Sequence, residues 1–141
     1  MGRMALERGA RKLAIWDIDE EKMAVTAAEF GSLGSVATYK VDVSDHEAVE
    51  AAYARTRAEC GDVDILVNCA GIVTGNRTFD RQTVRDIERT MTVNATAPMV
   101  LALQALPDMI ARDHGHICNI ASAAGMISNP KMSVYVARKW A

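Results

Sequence analysis

Apolar and polar positions along the chain fall into two alternating textures. Short continuous apolar runs occupy residues 12–16, 36–43, 64–67 and 116–121, and their length and β-branched content suit buried strands better than helices. Longer amphipathic stretches separate them. Residues 20–33, rich in Ala, Glu, Lys and Met, read as a helix stopped by Gly31 and Gly34. A second helix starts at Ser44-Asp-His-Glu47, read as a capping box with Ser44 as the cap, and runs to Cys60 before Gly61. A third covers 80–112 in two parts, with Pro107 as the expected break. A last helix begins at Ser133, and a short helical stub occupies residues 3–8.

Strands that alternate with helices imply βαβ units and a parallel sheet covered by helices. Right-handed crossovers make that sheet doubly wound, a Rossmann-like α/β fold with its ligand crevice beyond the carboxyl ends of the strands. Residues with chemistry to offer stand at those ends: Asp17, Asp42, Asn68 to Gly71, and Ser122. No repeat or linker divides the chain, so residues 1–141 read as a single domain.

Composition narrows the function classes. Half of the residues are hydrophobic and 24% are charged, an ordinary globular balance. A net charge of -2 supplies no attraction to nucleic acid or to an anionic membrane. No apolar run approaches the roughly eighteen residues of a membrane span, and the N-terminus lacks a signal core, so a cytoplasmic location is expected. Cys60, Cys69 and Cys118 stand apart from one another and read as free thiols. His114 and His116 flank a glycine with nothing nearby to complete a metal site, so no metal is expected.

Four residues apart on a helix, Tyr135 and Lys139 share one face and can reach one ligand. An ammonium beside a phenol favours the phenolate, which suits the tyrosine to exchange a proton with an alcohol or carbonyl oxygen. Ser122 follows a strand and could hold the substrate oxygen against the tyrosine; its bland alternative is a local turn bond. Asn94 lies inside a long helix, where asparagine is a mediocre former, so it either binds a water or satisfies a local polar group. Asp17 could accept hydrogen bonds from a ribose diol and would repel a 2′-phosphate, which favours NAD over NADP. Its alternative is a helix cap, a role that Asp19 fits better.

Taken in order, Asp17, Asp42-Val43, Asn68-Cys69-Ala70-Gly71, Asn94, Ser122, Tyr135 and Lys139 resemble the short-chain dehydrogenase/reductase family over essentially the whole chain. The resemblance implies an oxidoreductase moving hydride between NAD and an alcohol or ketone. Tyr135 would be the general acid/base, Lys139 would tune it and hold the nicotinamide ribose, Ser122 would bind substrate, and Asn94 would join a proton relay. Cofactor contacts are implied at Gly2, Asp17, Ile18, Asp42, Val43, Asn68, Ala70, Gly71, Tyr135 and Lys139. Cys69 replaces the second asparagine common in that motif. Trp16-Asp-Ile18 and the run from His114 to Gly125 resemble the branch containing 17β-hydroxysteroid dehydrogenase type 11 and the retinol dehydrogenases, which implies a bulky lipophilic alcohol. A homo-oligomer is implied as well.

The family begins with a strand and a Thr-Gly-x-x-x-Gly-x-Gly loop, of which Gly2 is similar to the last glycine. The expectation is therefore a truncated NAD-binding domain that lacks the first strand and the last strands, with sheet pairs 3-2 and 4-5 remaining. On that expectation the alternative to an enzyme is an inactive fragment, or a non-catalytic module that binds a nucleotide or a partner.

Overall fold

The computed structural model describes residues 1–74, 78–127 and 130–140, with the side chains of residues 138–140 outside that description. It forms two compact units, Met1–Val63 and Asp64–Ala141.

The first unit runs α1 (Gly2–Glu7), β1 (Lys12–Asp17), α2 (Glu20–Phe30), β2 (Ser35–Lys40) and α3 (His46–Cys60). β1 and β2 pair in parallel, from Lys12 opposite Ser35 to Asp17 opposite Lys40. Parallel neighbours need a crossover, and α2 provides it. Asp19 caps α2 by accepting the Lys22 N–H at 3.0 Å, and Glu20 and Glu21 place negative charge in the first turn, where the helix dipole favours it. Leu6, Met23, Tyr39, Val41, Val49 and Tyr53 are buried.

Two close approaches shape this unit. A Cβ on Gly2 would lie 2.9 Å from Leu13 Cδ2, so glycine lets α1 begin directly against β1. Trp16 donates its indole N–H to Thr56 Oγ1 at 3.0 Å and meets the Tyr39 ring edge-on at 6.4 Å, which seats α3 on the strands.

The cap of α3 differs from expectation. Asp45, not Ser44, is the N-cap, accepting the N–H groups of Glu47 and Ala48 at 3.1 Å each. Ser44 instead turns back, donating from its N–H (2.9 Å) and its hydroxyl (2.6 Å) to Asp42 Oδ1. A carboxylate at position 42 offers the serine a charged acceptor, and charge-assisted bonds are the stronger ones.

The second unit runs β3 (Ile65–Asn68), a 3-10 turn (Phe79–Arg81), α4 (Val84–Met91), a π turn (Thr92–Thr96), α5 (Ala97–Ala111), β4 (His116–Asn119), a second 3-10 turn (Ala123–Gly125) and α6 (Ser133–Trp140). β3 and β4 pair in parallel, from Ile65 opposite His116 to Asn68 opposite Asn119. Ala97, Leu101, Ala105 and Met109 bury the inner face of α5, which packs on both strands. A capping box starts α4: Thr83 Oγ1 accepts the Asp86 N–H at 3.1 Å, and Asp86 accepts the Thr83 N–H at 3.0 Å.

Pro107 does not divide the long helical stretch; it lies inside α5. Proline removes the N–H that the Leu103 carbonyl would receive, but Leu103 and Pro107 both lie on the exposed face, where water replaces the lost donor. The interruption falls instead at the π turn around Asn94. Both strand pairs agree with the pairing expected for a doubly wound parallel fold, and each is a two-stranded sheet among the described residues.

Candidate functional site

Beyond the carboxyl ends of β3 and β4 the two chain segments part and leave a cleft of about 160 Å³. Cys69, Ala70, Gly71, Ile72 and Val73 form one wall, Ile120 and Ala121 another, and Asn94 and Tyr135 complete it. The location follows from parallel pairing, because loops that leave adjacent strands in the same direction must separate to reach their helices.

The wall at 69–73 is held from behind. Asn94 is fully buried and pairs with one residue twice: its Nδ2 donates to the Ile72 carbonyl at 2.7 Å, and its Oδ1 accepts the Ile72 N–H at 2.8 Å. The loop thereby satisfies in a side chain the backbone groups that a strand would satisfy in a neighbour. Gly71 suits the same contact, since a Cβ there would stand 3.1 Å from Asn94 Oδ1, a tight approach that the amide would have to yield to. A second fastening follows at Thr74, whose hydroxyl meets that of buried Thr90 and reaches the Asp86 carbonyl at 3.0 Å.

Asn68 anchors the start of the wall. Buried at the end of β3, it donates to Asn119 Oδ1 at 2.8 Å and to the Pro98 carbonyl at 3.5 Å. Its own Oδ1 is buried with no hydrogen-bond partner among the described residues.

Other sequence candidates are placed as follows. Tyr135 is half-buried on α6 and faces the cleft. Lys139 belongs to the same helix, and its side chain lies outside the described residues. Ser122 stands one residue beyond the lining; its Oγ accepts the Ala124 N–H at 3.2 Å and caps the 3-10 turn that packs on α6. That bond uses an oxygen lone pair, so the hydroxyl can still donate its own proton. Asp17 is exposed at the end of β1, where its Oδ1 accepts the Asp19 N–H at 3.0 Å, and Ile18 beside it is exposed. Asp42 is exposed after β2 with Val43 half-buried behind it. Gly2 opens α1.

Within the second unit, Asn94, Ala70, Gly71 and Tyr135 therefore share one cleft, with Asn68 beneath it and Ser122 at its margin. Missed in the sequence were the Thr74–Thr90 fastening, the part of Asn119 and the Thr83–Asp86 box. The last was readable, as Thr-Val-Arg-Asp ahead of a helix carries the capping signature. The first two depend on contacts between distant segments.

Comparison with known proteins identifies a family and a shared fold. The short chain dehydrogenase family model matches residues 1–141. Estradiol 17-beta-dehydrogenase 11 from Pongo abelii is 41% identical, over 92% of this chain and 43% of its own length. Retinol dehydrogenase 10-B from Danio rerio is 35% identical, over 99% of this chain and 48% of that protein. Among solved structures, a metagenomic short-chain oxidoreductase in complex with NADP superposes with a TM-score of 0.92 at 30% identity, covering 99% of this chain and 63% of that one. The chain belongs to the short-chain dehydrogenase family. It spans about half the length of the curated relatives it matches. Among the described residues, no helix is long and apolar enough to cross a membrane.

Proposed function

We propose that the protein is an oxidoreductase that moves hydride between a nicotinamide dinucleotide and an alcohol or ketone, with Tyr135 as the general acid/base. The observation that carries this reading is the cleft: a half-buried phenol faces a wall of small residues at the carboxyl end of a parallel sheet. Ala70, Gly71 and Ala121 leave room for a flat ring system, and the buried Asn94 clamp holds that room open.

The family resemblance assigns dinucleotide contacts to residues in each unit. The first unit offers Gly2, Asp17 with Ile18, and Asp42 with Val43; the second offers Asn68, Ala70, Gly71, Tyr135 and Lys139. The exposed Asp17 carboxylate favours NAD, since it would accept from a ribose diol and repel a 2′-phosphate. The NADP bound by the metagenomic relative is the alternative. The family model matches residues 1–141, which supports one nucleotide-binding domain over that span.

The dinucleotide supplies or accepts the hydride when bound. Tyr135 holds its hydroxyl at the substrate oxygen, taking a proton from an alcohol or giving one to a ketone. Ser122 donates to the same oxygen and fixes its position. Lys139, one turn along α6, favours the ionised phenol. Asn94 keeps one amide hydrogen beyond its bond to Ile72 and serves the relay from there. The names of the relatives favour a lipophilic alcohol, a cytoplasmic location suits the sequence, and a homo-oligomer is the family habit. Incubating the purified chain with NAD and a panel of lipophilic secondary and allylic alcohols tests the reading; growth of NADH absorbance supports it, and its absence with every alcohol under both NAD and NADP refutes it.

A further inference from the structure

We propose that Asn119 is a positioning residue whose side-chain amide, acting through Asn68, sets the separation of the two loops that wall the cleft; this rests on the oxidoreductase reading of that site. Asn119 and Asn68 face each other on the last rung of the β3–β4 ladder. Immediately afterwards the chains diverge, into Cys69 and Ala70 on one side and Ile120 and Ala121 on the other. The rung is closed by two bonds, one from the Ile120 N–H to the Asn68 carbonyl at 3.0 Å and one from Asn68 Nδ2 to Asn119 Oδ1 at 2.8 Å.

The direction of the amide bond is fixed by Asn68. Its two N–H groups point at Asn119 Oδ1 and at the Pro98 carbonyl, and its Oδ1 has no donor among the described residues. Asn119 therefore acts as the acceptor. It is itself exposed and is not among the residues that line the cleft, so its influence on the site runs through the rung. An exposed acceptor can be exchanged for a carboxylate, which still accepts, whereas alanine removes the bond. Ser122 lies three residues beyond Asn119, and small displacements of such groups cost rate far more than binding.

The test compares Asn119→Ala with Asn119→Asp in the full 141-residue chain, with Asn119→Ser in place of alanine should that variant not fold. Two quantities are read: amide hydrogen exchange at Ile120 by NMR, and steady-state turnover with NAD and an alcohol that the wild type oxidises. With alanine, Ile120 exchange is expected to rise about tenfold and kcat to fall about tenfold, with KM for alcohol and dinucleotide within about threefold. Aspartate is expected to restore both. Unchanged Ile120 exchange in the alanine variant overturns the proposal, as does unchanged kcat beside raised exchange, or failure of aspartate to restore either. Raised and restored exchange in a chain without wild-type turnover leaves the loop spacing to the amide pair and refutes the oxidoreductase reading instead.

Discussion

Asn94 forms two hydrogen bonds with the backbone of Ile72, one given at 2.7 Å and one received at 2.8 Å, from a position with no exposure to solvent. The pair ties the π turn to the cleft wall, and it joins a buried amide to the backbone of a half-buried residue. A buried group left without its bond costs about 1–3 kcal/mol, so Asn94→Ala is expected to lower stability by about 2–4 kcal/mol. Asn94→Asp, which at neutral pH would set a buried carboxylate oxygen against the Ile72 carbonyl, should cost at least as much as alanine. Urea denaturation measures both, and a loss below about 1 kcal/mol for alanine contradicts the account.

Gly61 ends α3 at φ 85°, ψ -165°, a conformation almost confined to glycine. A Cβ there would meet nothing within 4 Å, so any penalty for alanine comes from the backbone alone. Gly61→Ala is expected to destabilise the chain by about 1–3 kcal/mol, again by urea denaturation. A neutral result would show that the turn relaxes freely.

The Tyr39 hydroxyl donates to Glu59 Oε2 at 2.9 Å and lies 3.3 Å from Cys60 Sγ. Burial, followed by the bonds to Cys60 and Glu59, pushes the phenol well above its ordinary range. Arg55, bonded to Glu59 at 2.8 Å, holds that carboxyl below its usual range, and Tyr39 adds to the effect. The signs are opposite. Tyr39 stabilises the fold at every pH below the ordinary value of 10, and that contribution is lost as pH rises beyond it. Glu59 contributes above its ordinary 4.5 and loses that contribution as pH falls. Stability profiles should therefore flatten at the alkaline end in Tyr39→Phe and at the acid end in Glu59→Gln; identical profiles in wild type and variants contradict the assignment.

Asp17 should decide between the two dinucleotides. Replacing its carboxylate by Asp17→Ser removes both the ribose acceptor and the repulsion toward a 2′-phosphate. The ratio of kcat/KM for NAD to that for NADP is expected to fall about tenfold, equivalent to about 1.4 kcal/mol. An unchanged ratio would leave Asp17 as a turn residue bonded to the Asp19 N–H.

The strands and most helices were legible because each is announced locally, by an apolar run, a glycine or a cap. Asp19 capping α2 and Gly61 ending α3 belong to that class. Ser44 misled because the same short segment holds three candidate caps, and the choice of Asp45 depended on Asp42 engaging the serine. Pro107 misled because its lost bond and its ring's crowding of the Leu103 carbonyl are best tolerated on an exposed helix face, and the sequence does not show which face it takes. At the site, Asn94 was visible as an odd residue, but its partner Ile72 lies 22 positions away and carries no signal of its own. Long-range pairings such as Asn68–Asn119 are set by sheet register, which only the folded chain reveals.

The central claim rests on the phenol that faces the cleft. Tyr135→Phe keeps the ring and removes the hydroxyl, so kcat for NAD-linked alcohol oxidation is expected to fall by about 10²- to 10⁴-fold, with the dissociation constant for NAD unchanged within about threefold. Turnover in the phenylalanine variant within about twofold of wild type would contradict the assignment of Tyr135 as the acid/base.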